Sequence, residues 1–257
     1  MRWQSEVRRF SQVLWGASVL LVAACSADRA STNGGSGAAD STAATASAAE
    51  NTPGGANVAR RTQRVVFLGT SLTAGLGLDP EQAYPALLQA KADSAGYPVR
   101  IVNAGLSGET SAGALRRASW VLDQPAAMVV LEVGANDGLR GVDPDSTYAN
   151  LVKLVATIRE GQPGVSLALI QMEAPTNLGR SYTTRFHAAY ERVAKETGIP
   201  LWTFLLDGVA GVPNLNQPDG IHPNVTGSQR VAETVWRSLG PALAALPGAA
   251  AGASSGR

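Results

Sequence analysis

The chain of 257 residues has one cysteine, Cys25, and two histidines, His187 and His222. A single cysteine leaves no internal disulfide framework and no zinc ribbon. Two histidines exclude a multi-histidine metal centre, and any imidazole chemistry must use one of the two. Excess charge is missing as well. Lys and Arg total 21 against 20 Asp and Glu, for a formal net charge of +1. Residues 1–24 carry Arg2, Arg8 and Arg9 against Glu6, a net of +2, so the remainder carries +1 − 2 = −1. With no basic stripe along it, the chain lacks the electrostatic footprint of a nucleic-acid partner. No apolar run reaches the ~20 residues that a spanning helix needs.

What is present at the N-terminus reads as an export signal. Arg8 and Arg9 precede a short apolar run, Val13 to Ala24, which ends in small residues. The run closes on Val22-Ala23-Ala24-Cys25. This is similar to the lipobox of bacterial lipoproteins, which implies a signal peptide over 1–24 and a lipidated Cys25. The other reading is an ordinary signal peptide cut near Ala24, with Cys25 incidental. Residues 26–57 contain no Val, Ile, Leu, Met, Phe, Trp or Tyr. A segment of Ala, Ser, Thr and Gly cannot offset the entropy of ordering, so 25–61 is expected to be a disordered tether. The tail 247–257 has a similar composition. One folded domain is expected over 62–246, a length that suits a single core.

Within that domain, apolar runs alternate with helical periodicity. Strands are expected at Arg64–Leu68, Val99–Val102, Ala127–Val133, Val165–Met172 and Pro200–Trp202. Helices are expected at Glu81–Ala95, Ser111–Leu122 with Ser111 as cap, from Asp143 or Asp145 to Glu160, Tyr182–Thr197 and Asn224–Leu239. The strands are continuously apolar rather than alternating, as in a parallel sheet buried on both faces. The expected fold is α/β: a three-layer α/β/α doubly wound parallel sheet, with ligands outside the carboxyl ends of the strands.

The informative residues lie at those ends. After the first strand comes Gly69-Thr70-Ser71-Leu72, after the second Asn103-Ala104-Gly105-Leu106-Ser107-Gly108-Glu109, and after the third Gly134-Ala135-Asn136-Asp137-Gly138. Asp219-Gly220-Ile221-His222-Pro223 precedes the last helix. A serine hydroxyl needs a base to become a nucleophile, a carboxylate orients that base, and amide donors stabilise the oxyanion. Asp219 lies three residues before His222, close enough to reach Nδ1. His187 sits mid-helix without a fixed carboxylate nearby in sequence and reads as structural. Each residue also has a plainer reading: Ser71 as a turn or cap, Asn136 as a turn residue, Gly108 as a positive-φ position.

Together the four segments resemble the blocks of the GDSL, or SGNH, hydrolase superfamily over about 64–240. The likeness is greatest to its bacterial arylesterase, thioesterase I and lysophospholipase branch, with MEAPTNLG at 172–179 pointing to the arylesterases. The resemblance implies a flavodoxin-like fold and a serine carboxylic-ester hydrolase. Its nucleophile would be Ser71, with His222 and Asp219 completing the triad. Its oxyanion donors would be the Ser71 and Gly108 N–H groups and the Asn136 amide. It implies no cofactor and no metal, and a small ester or thioester as substrate. A monomer anchored to the bacterial envelope is expected, on the periplasmic or outer-membrane face. A carbohydrate or peptidoglycan O-acetylesterase shares these blocks, and an anchored non-catalytic binding module is the other alternative.

One position departs from the family pattern: Thr70 stands where aspartate is usual. An aspartate there would be expected to order the nucleophile loop through backbone amides. Glu109 and Asp137 read as loop-ordering acids. Glu132, in an otherwise apolar strand, is either a group that orders the site or a satisfied structural acid. The Gly75-Leu76-Gly77 run is not a nucleotide loop, because Pro80 takes the third glycine position and no lysine follows. Leu72, Leu78, Leu106, Ala174 and Leu178 are candidates for an acyl groove, or simply local packing.

Overall fold

The computed structural model describes residues 63–248. The signal peptide, Cys25, the tether and all but Pro247 and Gly248 of the tail lie outside them. Five strands form one parallel sheet: β1 (Gln63–Gly69), β2 (Val99–Gly105), β3 (Met128–Glu132), β4 (Ser166–Ile170) and β5 (Leu201–Trp202). Their order is β2-β1-β3-β4-β5. Hydrophobic burial puts β1 and β3 in the middle. Val65, Val66, Phe67 and Leu68 have no exposed surface, and neither do Val129, Val130 and Leu131. All pairings are parallel, with Gly69 opposite Gly105 on one side and Glu132 on the other.

The helices are α1 (Ser71–Ala74), α2 (Tyr84–Ser94), α3 (Ser111–Val121), α4 (Ala135–Arg140), α5 (Pro144–Gly161), α6 (Arg180–Thr197) and α7 (Val225–Ala244). Helix α5 packs between α3 and α6, while α2 packs against α7, giving a helical layer on each side of the sheet. In α5, Leu151, Leu154, Val155 and Ile158 recur at helical spacing and are buried. The chain leaves β1 for one edge through β2 and then returns to start β3 on the other side of β1. That reversal makes the carboxyl ends of β1 and β3 the switch point where doubly wound sheets bind ligands.

Several boundaries differ from the sequence expectation. The stretch after residue 79 is a short 3-10 turn, Pro80–Gln82, before α2 starts at Tyr84. Helix α3 is capped by Thr110, whose hydroxyl accepts from the Gly113 N–H, and not by Ser111. Ser111 instead gives both its N–H and its hydroxyl to Asp137. The Asn136 loop is the short helix α4. Helix α7 runs through Pro241 to Ala244, five residues beyond Leu239. Proline removes one helical hydrogen bond there, but Leu239, Leu243 and Leu246 are buried on the same face and hold the extra turn.

Candidate active site

Ser71 is the first residue of α1, a single helical turn directly after β1. Gly105, at the end of β2, lets this turn lie close: a Cβ there would fall 2.7 Å from Ala74 Cα. The Ser71 Oγ stands 2.9 Å from His222 Nε2, and His222 Nδ1 stands 2.7 Å from Asp219 Oδ2. Because the Asp219 carboxylate accepts only, the ring proton sits on Nδ1 and leaves Nε2 to accept from Ser71. The other Asp219 oxygen accepts from the Ile221 N–H at 2.9 Å and the His222 N–H at 3.0 Å, an Asx-type turn that fixes the spacing of the pair. Burial alone would raise the Asp219 carboxyl. The hydrogen bonds from His222 and Ile221 outweigh it and hold the group below the ordinary aspartate range.

The donor side is built from the next two loops. Gly108 has φ +78°, and a Cβ there would meet only Arg140 Nη2 at 3.7 Å, so conformation rather than space requires glycine. Among the described residues neither the Ser71 N–H nor the Gly108 N–H has a hydrogen-bond partner. Asn136 is buried, and its Nδ2 donates one hydrogen to the Glu109 carbonyl at 2.9 Å, leaving the second uncommitted. Glu109 forms a forked ion pair with Arg117 on α3, at 2.6 and 2.8 Å from Nε. Arg117 Nη2 also reaches the carbonyls of Ala104 and Gly69, tying the Gly108 loop to the end of β1. Asp137 accepts from the Ser111 N–H at 2.8 Å and from its hydroxyl at 2.5 Å, which fixes α4 against α3. Both acids therefore order loops, as their positions in sequence suggested.

His187 is half-exposed on α6 and, against the expectation that no carboxylate lies near it, has Glu173 at 2.6 Å from Nδ1 and Glu191, one turn on, at 3.5 Å from Nε2; among the described residues no bond joins it to Ser71. A narrow apolar hollow adjoins Ser71 and His222, lined by Leu72, Leu76, Leu78, Leu205 and Val231. Leu72 and Leu78 were groove candidates. Leu106, Ala174 and Leu178 do not line this hollow.

Gln217 escaped the sequence reading. Its N–H donates to the His222 carbonyl at 2.7 Å, and its Nε2 donates to Leu76 O at 2.6 Å and Pro223 O at 2.9 Å. One side chain thus joins the loop after Ser71 to the loop bearing His222. No local signal marks it, since its partner Leu76 is 141 residues away.

A switch-point serine joined to histidine and aspartate, beside loops with unspent N–H donors, defines the class of GDSL/SGNH hydrolases. Comparison with known proteins places the chain there. The profile of the GDSL-like Lipase/Acylhydrolase family matches residues 67–230. The esterase TesA of Pseudomonas aeruginosa is 40% identical over 182 residues, covering 70% of this chain and 90% of that protein. Thioesterase 1/protease 1/lysophospholipase L1 of Escherichia coli K12 is 36% identical over 178 residues, covering 69% and 83%. The crystal structure of the psychrotrophic esterase EstA from Pseudoalteromonas, inhibited by monoethylphosphonate, aligns with TM-score 0.67 at 33% identity, covering 70% of this chain and 98% of that one. The chain belongs to the GDSL-like lipase/acylhydrolase family and is a carboxylic ester hydrolase.

Proposed function

We propose that this protein hydrolyses short- to medium-chain acyl esters, aryl esters or thioesters through a Ser71 acyl-enzyme. The carrying observation is the continuous chain from Ser71 Oγ to His222 Nε2 at 2.9 Å and from His222 Nδ1 to Asp219 at 2.7 Å. Ser71 Oγ attacks the acyl carbonyl while His222 Nε2 takes its proton. Asp219 stabilises the imidazolium and holds the ring tautomer. Negative charge that develops on the carbonyl oxygen is received by the Ser71 N–H, the Gly108 N–H and the free hydrogen of Asn136 Nδ2. His222 returns the proton to the departing alcohol or thiol, and water then repeats the sequence to release the acid. The apolar lining of the hollow beside Ser71 and His222 suits an apolar acyl group.

Ser71→Ala is expected to abolish ester hydrolysis with the thermal melt unchanged. A monoethylphosphonate-type inhibitor should add one phosphonyl group to Ser71 of the wild type, seen by peptide mass spectrometry, and none to S71A. A folded S71A protein with substantial turnover would refute the assignment.

A further inference from the structure

The turn that carries Ser71 is only four residues long. A single helical turn is unfavourable alone, because nucleation fixes several dihedrals for one hydrogen bond. Its first-turn amides also lack helical partners. Their bonds can be counted. The Leu72 N–H reaches the Thr70 hydroxyl at 3.4 Å, and the Thr73 N–H reaches Glu132 Oε2 at 3.3 Å. The Thr70 N–H also bonds Glu132 Oε2, at 2.8 Å, and the Thr73 hydroxyl does so at 2.8 Å. The Thr70 hydroxyl lies 3.0 Å from both carboxylate oxygens. Tyr84 on α2 backs this set through its hydroxyl, 2.7 Å from that of Thr73. Of these amides, only the Ser71 N–H remains unspent.

Glu132 is fully buried and forms no ion pair among the described residues, so hydrogen bonds to this turn are what hold it. The neighbouring backbone is shaped to admit it. A Cβ on Gly69 would lie 2.7 Å from Glu132 Oε2 and closer still to the Thr73 hydroxyl.

We propose that Glu132 is a positioning residue for the nucleophile. Its carboxylate clamps residues 70 and 73 on either side of Ser71, holding the Ser71 hydroxyl at His222 and leaving the Ser71 N–H free for the oxyanion. The proposal rests on Ser71 being the nucleophile. It goes beyond that assignment because Glu132 touches neither substrate nor triad: it acts by accepting from four donor groups on the turn.

The test compares Glu132→Leu and Glu132→Gln, with kcat and KM on p-nitrophenyl butyrate and the rate of phosphonylation at Ser71. Leucine keeps the volume and removes every acceptor. E132L is expected to lower kcat and the phosphonylation rate together by about 10- to 100-fold, the cost of a small misplacement of reacting atoms, with KM unchanged. Glutamine puts its oxygen where three donors meet at Oε2 and its NH2 beside the Thr70 hydroxyl. E132Q is therefore expected to recover kcat to within about threefold of wild type, the worth of a modest net hydrogen bond. E132L turning over like wild type would overturn the proposal, and so would E132Q as slow as E132L. If E132L does not fold, the isosteric double change T70V/T73V decides. A fall in kcat of about tenfold or more is expected, and an unchanged kcat overturns the clamp. Absence of phosphonylation at Ser71 in the wild type itself would instead overturn the nucleophile assignment on which the clamp depends.

Discussion

At the scale of single residues, the site is governed by which donors are already spent. Asn136 shows the logic. One hydrogen of its amide is committed to the Glu109 carbonyl, and that contact orients the other. Asn136→Ala removes both roles at once. It is expected to lower kcat by about 10²–10³, the usual cost of one oxyanion donor, while KM changes little, because the lost interaction forms only as charge develops. Steady-state kinetics on an aryl ester measure both, and an unchanged kcat would leave Asn136 as a structural tie between two loops. That Ser71, His222, Asp219, Gly108 and Asn136 would gather at one edge was legible in sequence because each follows a strand end or sits within three residues of its partner. Gln217, Arg117 and Tyr84 were not, since their partners are supplied by the folded sheet rather than by sequence neighbours. Arg117, for example, meets Glu109 eight residues away but the Gly69 carbonyl 48 residues away.

At the scale of elements, the turn α1 and strand β3 form one unit, and this changes the meaning of Thr70. From sequence, an aspartate at 70 would gain a charge-assisted bond to nearby amides and stabilise the loop. The bonds already made around Thr70 argue against that expectation. The Thr70 and Thr73 amides are already bonded to Glu132, and the Thr70 hydroxyl faces that carboxylate as its donor. Thr70→Asp would set a second carboxylate against the first. Two such groups cannot both ionise cheaply, so the pair would hold a proton. Each added unit of proton affinity costs about 1.4 kcal/mol where both groups would otherwise be charged. T70D should therefore melt close to wild type at pH 5 and several degrees lower at pH 8. An equal loss at both pH values would show that the carboxylates do not interact. The elements themselves were largely readable. Continuous apolar runs marked the five strands and their alternation with helices marked a doubly wound parallel sheet, while the strand order came only with the structure. The short helices α1 and α4 were hidden, because four to six residues carry no periodicity. The end of α7 was hidden because Pro241 is a stop signal that burial of Leu243 and Leu246 overrides.

At the scale of the whole chain, the catalytic domain begins only after a long polar stretch and a single cysteine at position 25. We propose that Cys25 carries a lipid anchor. Cys25→Ser is then expected to move the protein from the detergent phase to the aqueous phase in a partitioning assay, and mass spectrometry of the wild-type N-terminus should find acyl chains on the cysteine. A wild-type N-terminus beginning at Met1 would rule this out.

The same buried acid that shapes the nucleophile turn also sets how the domain responds to pH. Burial pushes the Glu132 carboxyl up from 4.5 to about 7, against the pull of its four hydrogen bonds from Thr70 and Thr73. The titratable groups facing it are phenols. Tyr84 reaches it through Thr73, and Tyr190 lies on α6, and burial holds both well above the ordinary tyrosine range, so they stay neutral. Arg117 comes as near as the Gly69 carbonyl but is paired with Glu109. A folded-state pKa above the unfolded one means that the folded state binds the proton more tightly. The stability this supplies is complete below about pH 4.5 and is lost as pH rises through about 7, amounting to roughly 3 kcal/mol. Asp219 works in the opposite sense and in a different window. Its carboxyl is depressed below 3.8, so its contribution is present above that value and lost in stronger acid. Between pH 5 and pH 8 His187 contributes in the same sense, because its hydrogen bond to Glu173 raises its imidazole, so the share of Glu132 is read as the difference between wild type and E132Q. Urea unfolding at the two pH values should show the wild type losing up to about 3 kcal/mol more than E132Q, which carries no proton to lose. Parallel behaviour of the two proteins would mean that Glu132 titrates alike folded and unfolded. If the difference appears, the domain gives up stability at the pH where an ionised Glu132 is the best acceptor for the Ser71 turn, and T70D, which adds a second acid, should steepen the same loss.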